Sequence, residues 1–288
     1  RLLKPRAKVN VLYTPRHTNW HCQSFKLTFK KTDLVENFYN VFRFFIKKNY
    51  NRYIVHSGQI KNYLEKKIDG RISYFPYIIR QPEKVALGKK RLNSGTKVTV
   101  SILGSVDEKR RDYFSIFDPV NTYPSLDRIQ FILAGVPGGS GNTKKNKRNY
   151  FEELKRRLIL IEEKTGAKFI TFDRRLSEND YNDTVINSDV ILMPLVTKNY
   201  PFGGWSAGIA ESIEYDKRII IPKDYEPPDE YPKDYFTYSS TDDLFRFLKK
   251  NQFDKKIFSL NQKEVVQRKK AFGIQKFTKI LKEDFFEK

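Results

Sequence analysis

The stretch Tyr200–Pro222, YPFGGWSAGIAESIEYDKRIIIP, carries the clearest structural pattern of this chain. It starts with glycines and other small residues, continues with a helical alternation of apolar and polar residues, and ends in an all-apolar run that Pro222 closes. That order predicts a tight loop, a helix and a short buried strand at Ile219–Ile221. The start of the helix offers unpaired backbone N–H groups and a partial positive charge, which favour an anion such as phosphate.

Small residues and one carboxylate in this stretch are the first candidate site residues. Glu211 lies about one turn into the predicted helix, where its carboxylate can accept hydrogen bonds from the hydroxyl groups of a ligand. Several small residues before it leave room for a ligand at the backbone: Gly203, Gly204, Ser206, Ala207 and Gly208. A helix start that binds phosphate, followed by a carboxylate that binds hydroxyls, suits a nucleotide diphosphate-sugar.

Similar units of strand and helix surround this stretch. Apolar runs predict strands at Lys97–Leu103, Ile129–Ala134, Lys168–Phe172, Asp189–Met193 and Tyr235–Tyr238. Helical patterns fall between them, at Asn149–Lys164, at Ser177–Asn187 and from Thr241 onward. This alternation predicts a parallel sheet with right-handed crossovers, which binds ligands outside the carboxyl ends of its strands. We therefore expect one shared rim for the loops that contain Gly104, Gly135, Arg174 and Gly203.

The first part of the chain repeats the pattern on a smaller scale. Strands are predicted at Val9–Thr14, Tyr53–His56 and Ile72–Pro76, and helices at Asp33–Asn49 and Gly58–Lys67. The polar, basic and glycine-containing residues 80–95 predict an interdomain linker. The sequence thus divides into residues 1–95, 96–250 and 251–288, and we expect residues 262–288 to form one basic, partly amphipathic helix.

Composition limits the class of protein. A hydrophobic share of 39% and an aromatic share of 15% are too high for a disordered chain. The single cysteine, Cys22, excludes an internal disulfide and fits a reducing compartment such as the cytoplasm. No apolar run approaches the roughly 20 residues that a membrane span requires.

The net charge of +21 is concentrated at the two ends of the chain. Residues 1–95 carry 21 Lys and Arg against 5 Asp and Glu, a net charge of +16. Residues 96–245 have a net charge of −3, and residues 246–288 have one of +8. Basic regions of this kind bind nucleic acids or anionic membrane surfaces, and composition alone leaves both open.

Segments of this chain resemble, in the same order, the donor domain of GT-B glycosyltransferases, in particular the retaining, nucleotide-sugar-dependent enzymes of family 4. They are VSILGSVDEKRRDYFSIF, IQFILAGVPGG with YFEELKRR, FITFDRRLSENDYNDTVINSDVILMPL, and FGGWSAGIAESIEYDKRIIIP. Residues 53–76 resemble the end of the acceptor domain of those enzymes. The resemblance implies an α/β fold with two Rossmann-like parallel-sheet domains. Because about 95 residues are few for an acceptor domain, we expect the N-terminal domain to be incomplete, by truncation or reduction.

The resemblance also implies roles for residues at the ends of the strands. Glu211 matches the second glutamate of a pair in the family, whose role is to accept hydrogen bonds from the nucleotide ribose, whereas Gly203 takes the place of the first glutamate. The turn at Gly104 and Ser105 precedes a basic run in which Lys109 or Arg110, ahead of Arg111, is expected to neutralise the leaving diphosphate.

Further residues complete the expected site. Arg174 and Leu176 fall in the loop that holds the base in the family. His17 follows the strand VLYT, where related enzymes place a histidine that faces the donor cleft, and is expected to act in catalysis or to contact phosphate. His17, His21 and Cys22 are too few for a metal site, and no strict Asp-x-Asp motif occurs, so we expect no metal and no cofactor.

The function implied is transfer of a sugar from a UDP- or GDP-sugar to an acceptor hydroxyl, with retention and without a metal. The basic ends would face a lipid-linked, glycan or other anionic acceptor, and place a cytoplasmic enzyme at the surface of an anionic membrane. Two alternatives stay open. One is a basic nucleic-acid-binding protein on an α/β scaffold, and the other is a catalytically inactive GT-B-like partner subunit, which Gly203 would explain.

Overall fold

A small parallel sheet forms the first part of the computed structural model, which describes residues 12–13, 52–66, 71–74, 96–108, 110–135, 144–200 and 206–282. Its strands are β1 (Leu12–Tyr13), β2 (Arg52–Val55) and β3 (Arg71–Tyr74), in that order. Helix α1 (Gly58–Glu65) connects β2 to β3. Ser57 caps this helix because its hydroxyl accepts a hydrogen bond from the backbone N–H of Ile60.

A six-stranded parallel sheet forms the second part. Its strands are β4 (Val98–Leu103), β5 (Ile129–Ala134), β6 (Lys168–Thr171), β7 (Val190–Leu192), β8 (Arg218–Pro222) and β9 (Phe236–Tyr238). The spatial order is β6-β5-β4-β7-β8-β9, and every neighbouring pair is parallel. The chain therefore moves outward from β4 to β6 and then returns to β7, so that the crevice of the sheet lies between β4 and β7.

Helices cover both faces of this sheet. They are α2 (Tyr113–Ile116), α3 (Lys144–Thr165), α4 (Glu178–Asn187), α5 (Ala207–Glu214), α6 (Thr241–Asn251), α7 (Gln262–Phe272) and α8 (Ile274–Leu281). Successive strand residues alternate between the two faces, since Ile220 belongs to one apolar cluster and Ile219 and Ile221 belong to the other. The first cluster is completed by α2, α3 and α6, and the second by α4, α5 and α7.

The strand predictions are confirmed, with ends shifted by one or two residues. Helix α3 begins at Lys144, five residues before the predicted Asn149, because the polar start KKNKR gives no apolar periodicity to recognise. The predicted strand at Val9–Thr14 is described only at β1, and the predicted helix at Asp33–Asn49 lies outside the described residues.

The prediction of a single final helix is wrong. Gly273 adopts an extended conformation, with φ −72° and ψ 154°, and so separates α7 from α8. A glycine inside a helix costs about 1 kcal/mol relative to alanine, which makes this position a weak point in the pattern. Within the described residues, no helix combines the length and the apolar composition needed to cross a membrane.

Contacts near Glu230 join the two parts of the structure. The Oε1 atom of Glu230 accepts a hydrogen bond of 3.1 Å from the backbone N–H of Gly58, in the first turn of α1. The side chain of Gln59 donates to the carbonyl oxygen of Pro227 at 3.5 Å. A carboxylate at a helix N-terminus is favourable because it meets the positive end of the helix dipole. The loop after β8 therefore holds the N-terminal end of α1.

Arg268 anchors α7 to the six-stranded sheet. Its fully buried guanidinium forms two hydrogen bonds of 2.8 Å with the carboxylate of Asp234. It also donates to the carbonyl oxygens of Ser212 and Lys217, both at 2.8 Å, and to the hydroxyl of Tyr231 at 3.3 Å. One side chain thus connects α7 with the end of α5, with the start of β8 and with the segment before β9.

Replacing Arg268 by Met is expected to lower the free energy of unfolding by about 3–5 kcal/mol, since it leaves the buried Asp234 carboxylate without its partner. The double variant Arg268→Met/Asp234→Leu should recover part of this loss because no buried charge is left uncompensated. Urea unfolding curves measure both changes.

The matched control is Arg246→Ala, which breaks the exposed ion pair of Arg246 with Asp242 in α6. We expect this control to cost under about 1 kcal/mol. An Arg268→Met variant as stable as the control would show that the buried pair does not anchor α7.

Candidate functional site

Two glycines bring the loops after β4 and β5 together at the carboxyl rim of the sheet. Gly104 has φ +90°, a left-handed conformation that favours glycine over other residues. A Cβ atom on Gly135 would collide with the carbonyl oxygen of Gly104, so the two backbones touch at this point. Because all the strands are parallel, the loops that follow β4, β5 and β6 share this rim, as the sequence predicts.

The segment 110–112 crosses the rim beside the segment 194–196. Arg111 and Leu195 form an isolated antiparallel bridge. The N–H of Asp112 donates to the carbonyl oxygen of Pro194 at 2.7 Å, and the N–H of Val196 donates to that of Arg110 at 3.2 Å. This bridge fixes the register of the basic run, so that the Arg111 side chain turns inward.

Arg111 is buried at the start of α5, with 4% of its surface exposed. Its Nη1 atom donates to the Tyr200 hydroxyl at 3.1 Å, and its Nη2 atom donates to the Ser206 hydroxyl and the Leu103 carbonyl oxygen, both at 3.4 Å. Its Nε atom is buried and lacks a hydrogen-bond partner among the described residues. The hydrogen bonds of the guanidinium within the described residues are therefore all with neutral oxygen atoms, and an anion would add a charged partner.

Glu211 faces the same region from the second turn of α5. Its Oε1 atom accepts a hydrogen bond of 2.8 Å from the Tyr181 hydroxyl of α4. Its Oε2 atom is buried and has no hydrogen-bond partner in the described part of the chain. Burial raises the pKa of the Glu211 carboxyl group, while the Tyr181 hydrogen bond and the Arg111 charge oppose that rise.

This arrangement suits a ligand with an anionic group and a hydroxyl group. The Nε atom of Arg111 can donate a hydrogen bond to the anion, and the Oε2 atom of Glu211 can accept one from the hydroxyl. Both atoms are buried without a hydrogen-bond partner among the described residues, and a ligand of this kind would supply a partner to each.

The structure selects Arg111 from the basic run. Arg110, which the sequence pattern favoured together with Lys109, is exposed, and its Nε atom donates to the Tyr200 hydroxyl at 3.2 Å. Lys109 lies outside the described residues. Three consecutive cations do not show which of their side chains faces the site. The bridge of Arg111 to Leu195, a residue distant in the sequence, decides this. Tyr200 was missed for the same reason.

The other predicted site residues differ in burial and position, and some lie outside the described residues. Gly208 is buried, and a Cβ atom there would lie 3.2 Å from Cε of Met193, so its small size lets α5 approach the end of β7. Arg174 is exposed after β6, and Leu176 packs partly against the core beneath α4 and α5. Ser105 is half-buried beside Gly104. His17, Gly203 and Gly204 lie outside the described residues, and donor contacts at all these positions stay predictions.

The described residues contain no group of three or more His, Cys, Asp and Glu side chains that could hold a metal ion. Positive charge within the site comes from Arg111.

Similar folds occur in solved structures of other proteins. The Anabaena protein HepE, crystallised with UDP and glucose, is 13% identical with a TM-score of 0.60, and the match covers 94% of this chain and 70% of HepE. The UDP-forming α,α-trehalose-phosphate synthase of Burkholderia vietnamiensis is 12% identical with a TM-score of 0.57, over 89% of this chain and 66% of the synthase.

A third similar structure is the N-terminal domain of Candida albicans trehalose-6-phosphate phosphatase, which is 11% identical with a TM-score of 0.53. That match covers 95% of this chain and 62% of the other. This chain thus spans about two thirds of the length of the proteins it matches. No protein-family model and no curated protein sequence matches it. The comparisons confirm the predicted α/β class and the GT-B fold.

Glu211→Gln is expected to make the protein more stable relative to the wild type as pH rises from 4 to 8. The folded-state pKa of Glu211 is raised above its ordinary value of 4.5, so the wild type loses stability as pH rises from that value through the folded pKa. Glutamine has no charge to bury and avoids the loss.

Urea unfolding at a series of pH values measures this difference, and Glu163→Gln on the exposed face of α3 is the matched control for loss of one carboxylate. The prediction is contradicted if the free energy of unfolding of Glu211→Gln, relative to that of the wild type, stays constant or falls as pH rises. Burial would then not disfavour the charged form of Glu211.

Proposed function

We propose that this chain is a glycosyltransferase of the family 4 type, which moves a sugar from a nucleotide diphosphate-sugar to an acceptor hydroxyl. The GT-B fold supports the proposal, and the observation that carries it is the pair of unsatisfied buried atoms, Nε of Arg111 and Oε2 of Glu211, at the start of α5. UDP is our first choice of nucleotide because HepE, a protein of similar fold, was crystallised with UDP and glucose. GDP is the second choice.

Arg111 would bind the diphosphate of the donor. Its buried Nε–H has no hydrogen-bond partner among the described residues, and the adjacent N-terminus of α5 adds a partial positive charge. During transfer, the bond between the anomeric carbon and the diphosphate oxygen breaks while negative charge grows on the diphosphate. A buried cation stabilises that charge strongly because little water screens the interaction. A resident arginine in this role is the basis for proposing a reaction without a metal.

Glu211 would bind the ribose. Its Oε2 atom can accept a hydrogen bond from one ribose hydroxyl, while Tyr181 holds the Oε1 atom and fixes the side chain. The acceptor oxygen then bonds to the anomeric carbon, and its hydroxyl proton leaves with the diphosphate. We propose retention at the anomeric carbon, with the diphosphate and the acceptor on the same face of the sugar.

The acceptor would be an anionic or lipid-linked molecule at a membrane surface. The charges of +16 in residues 1–95 and +8 in residues 246–288 support this proposal because anionic lipids attract basic regions by about 1 kcal/mol per nearby Lys or Arg. The nearly neutral donor-binding part would stay in the cytoplasm.

Arg111→Gln is expected to weaken UDP binding at least tenfold, about 1.4 kcal/mol, because it removes the cation that meets the diphosphate. Uridine has no phosphate, so its weaker affinity should be the same for the variant and the wild type. Isothermal titration calorimetry with UDP, GDP, UDP-glucose and uridine measures these affinities.

The matched control for this prediction is Arg110→Gln, which removes the exposed neighbouring cation and should change UDP affinity by less than about threefold. If Arg110→Gln loses more UDP affinity than Arg111→Gln, then Arg110 and not Arg111 binds the phosphate, and the proposed role of Arg111 is wrong. No binding across the whole set of nucleotides would overturn the proposed transferase.

A further inference from the structure

A pocket separate from the Arg111 site opens at the carboxyl rim of the six-stranded sheet, near the ends of β7, β8 and β9. Its volume is about 410 Å³, which falls in the roughly 300–1,000 Å³ typical of small-molecule sites. Its polar lining comes from α2, α6 and the loops after β7 and β8, and includes Asp112, Thr197, Lys198, Asp224, Tyr238 and Ser240.

This pocket and the Arg111 site lie on opposite sides of one backbone bridge. Segments 110–112 and 194–196 are joined by the isolated bridge of Arg111 with Leu195 and by the two backbone hydrogen bonds that flank it. Arg111 points to Ser206 at the start of α5, whereas the next residue, Asp112, lines the pocket. The two sites are therefore neighbours, and segment 110–112 contributes a different side chain to each of them.

The two carboxylates of the pocket each retain an oxygen atom for a ligand. The Oδ1 atom of Asp112 accepts a hydrogen bond from the N–H of Ser115, and the Oδ2 atom of Asp224 accepts one of 2.6 Å from the Thr197 hydroxyl. The second oxygen of each carboxylate has no hydrogen-bond partner among the described residues. Both carboxylates are exposed, so a ligand in the pocket can reach them.

Tyr238 supplies an aromatic ring and a hydroxyl group to the lining of the pocket. Only 9% of its surface is exposed. Burial, together with the nearby charges of Asp112 and Asp224, raises the pKa of the Tyr238 hydroxyl, so this group remains protonated and can donate a hydrogen bond. Tyr238, Asp112 and Asp224 all belong to the lining of this pocket.

The lining matches a neutral ligand with many hydroxyl groups. Carboxylate oxygens accept hydrogen bonds from hydroxyls, and the hydroxyls of Ser240 and Tyr238 can both donate and accept. The Thr197 hydroxyl, which donates its proton to Asp224, can still accept a hydrogen bond. An anionic ligand would meet two carboxylates and only one lysine, Lys198, which is unfavourable. From this geometry we propose that the pocket between α2, α6 and the loops after β7 and β8 binds a neutral saccharide unit through its hydroxyl groups.

The proposal goes beyond the transferase proposed above and does not depend on it. A saccharide here would occupy a site separate from the donor nucleotide, on the other side of the bridge that carries Arg111. The pocket would hold one unit of a carbohydrate chain that the protein binds.

Binding of neutral sugars to the full chain tests the proposal. Saturation-transfer NMR and calorimetry with glucose, galactose, mannose and maltose are expected to detect at least one ligand in the millimolar range or tighter. Asp224→Asn should weaken that binding at least fivefold because an amide offers one acceptor oxygen where the carboxylate offers two. Thr197→Val should weaken it as well, since it removes the hydroxyl that orients Asp224.

Two matched controls separate this pocket from other surfaces and from the nucleotide site. Asp183→Asn, on the exposed face of α4, and Glu211→Gln should both leave sugar affinity unchanged. Unfolding curves check that each variant remains folded.

Several outcomes would overturn the proposal. They are no sugar binding at tens of millimolar, sugar affinity unchanged in both Asp224→Asn and Thr197→Val, and sugar binding that Glu211→Gln abolishes or UDP displaces. Preferential binding of inorganic phosphate that is lost in Lys198→Ala would also overturn it, because the pocket would then be an anion site.

Discussion

The burial of Arg268 is the constraint on which the geometry of this structure depends. Its guanidinium is fully buried and meets the Asp234 carboxylate and two carbonyl oxygens, so every part of the planar group has a partner. One of those carbonyls belongs to Ser212, the residue after Glu211. The end of α5 cannot shift without breaking bonds that water cannot replace in the core. The position of the Glu211 carboxylate therefore follows from a side chain on α7.

A second buried arginine has the opposite character. Arg111 is almost as deeply buried as Arg268, yet its described hydrogen bonds are with two hydroxyls and two carbonyl oxygens, and its Nε atom has no partner there. A buried charge without a hydrogen-bonded opposite charge is costly, and such groups occur at sites where a ligand supplies that charge. The contrast separates an arginine that holds the fold together from one that is held ready for a ligand.

Sequence patterns were sufficient for the elements of the larger sheet but not for its site. Short apolar runs between helical patterns identified the strands because a buried parallel strand needs apolar residues on both faces. The position of Glu211 also followed from local pattern, since it depends only on helical spacing after the glycine-rich loop. The choice among Lys109, Arg110 and Arg111 did not, because the pairing of Arg111 with Leu195 sets it and joins segments about 84 residues apart.

The partners of Glu211 were beyond local pattern for the same reason. Tyr181 lies on a different helix, and its hydroxyl reaches Glu211 only after α4 and α5 have packed on the same face of the sheet. The break between α7 and α8 was also beyond local pattern. The residues on both sides of Gly273 have helical patterns, and the extended backbone at Gly273 separates them.

Tyr181 has a consequence for how Glu211 can bind a ligand. A free carboxylate could accept a hydrogen bond at each of its two oxygens, but the Tyr181 hydroxyl already occupies Oε1. A ligand hydroxyl therefore meets Oε2 of a side chain whose orientation is already fixed. The Glu211 side chain loses little conformational entropy when the ligand binds. The cost appears in the free protein, where burial disfavours the charged carboxyl group. A ligand hydroxyl at Oε2 offsets part of that cost, so the same feature that weakens the empty site strengthens the occupied one.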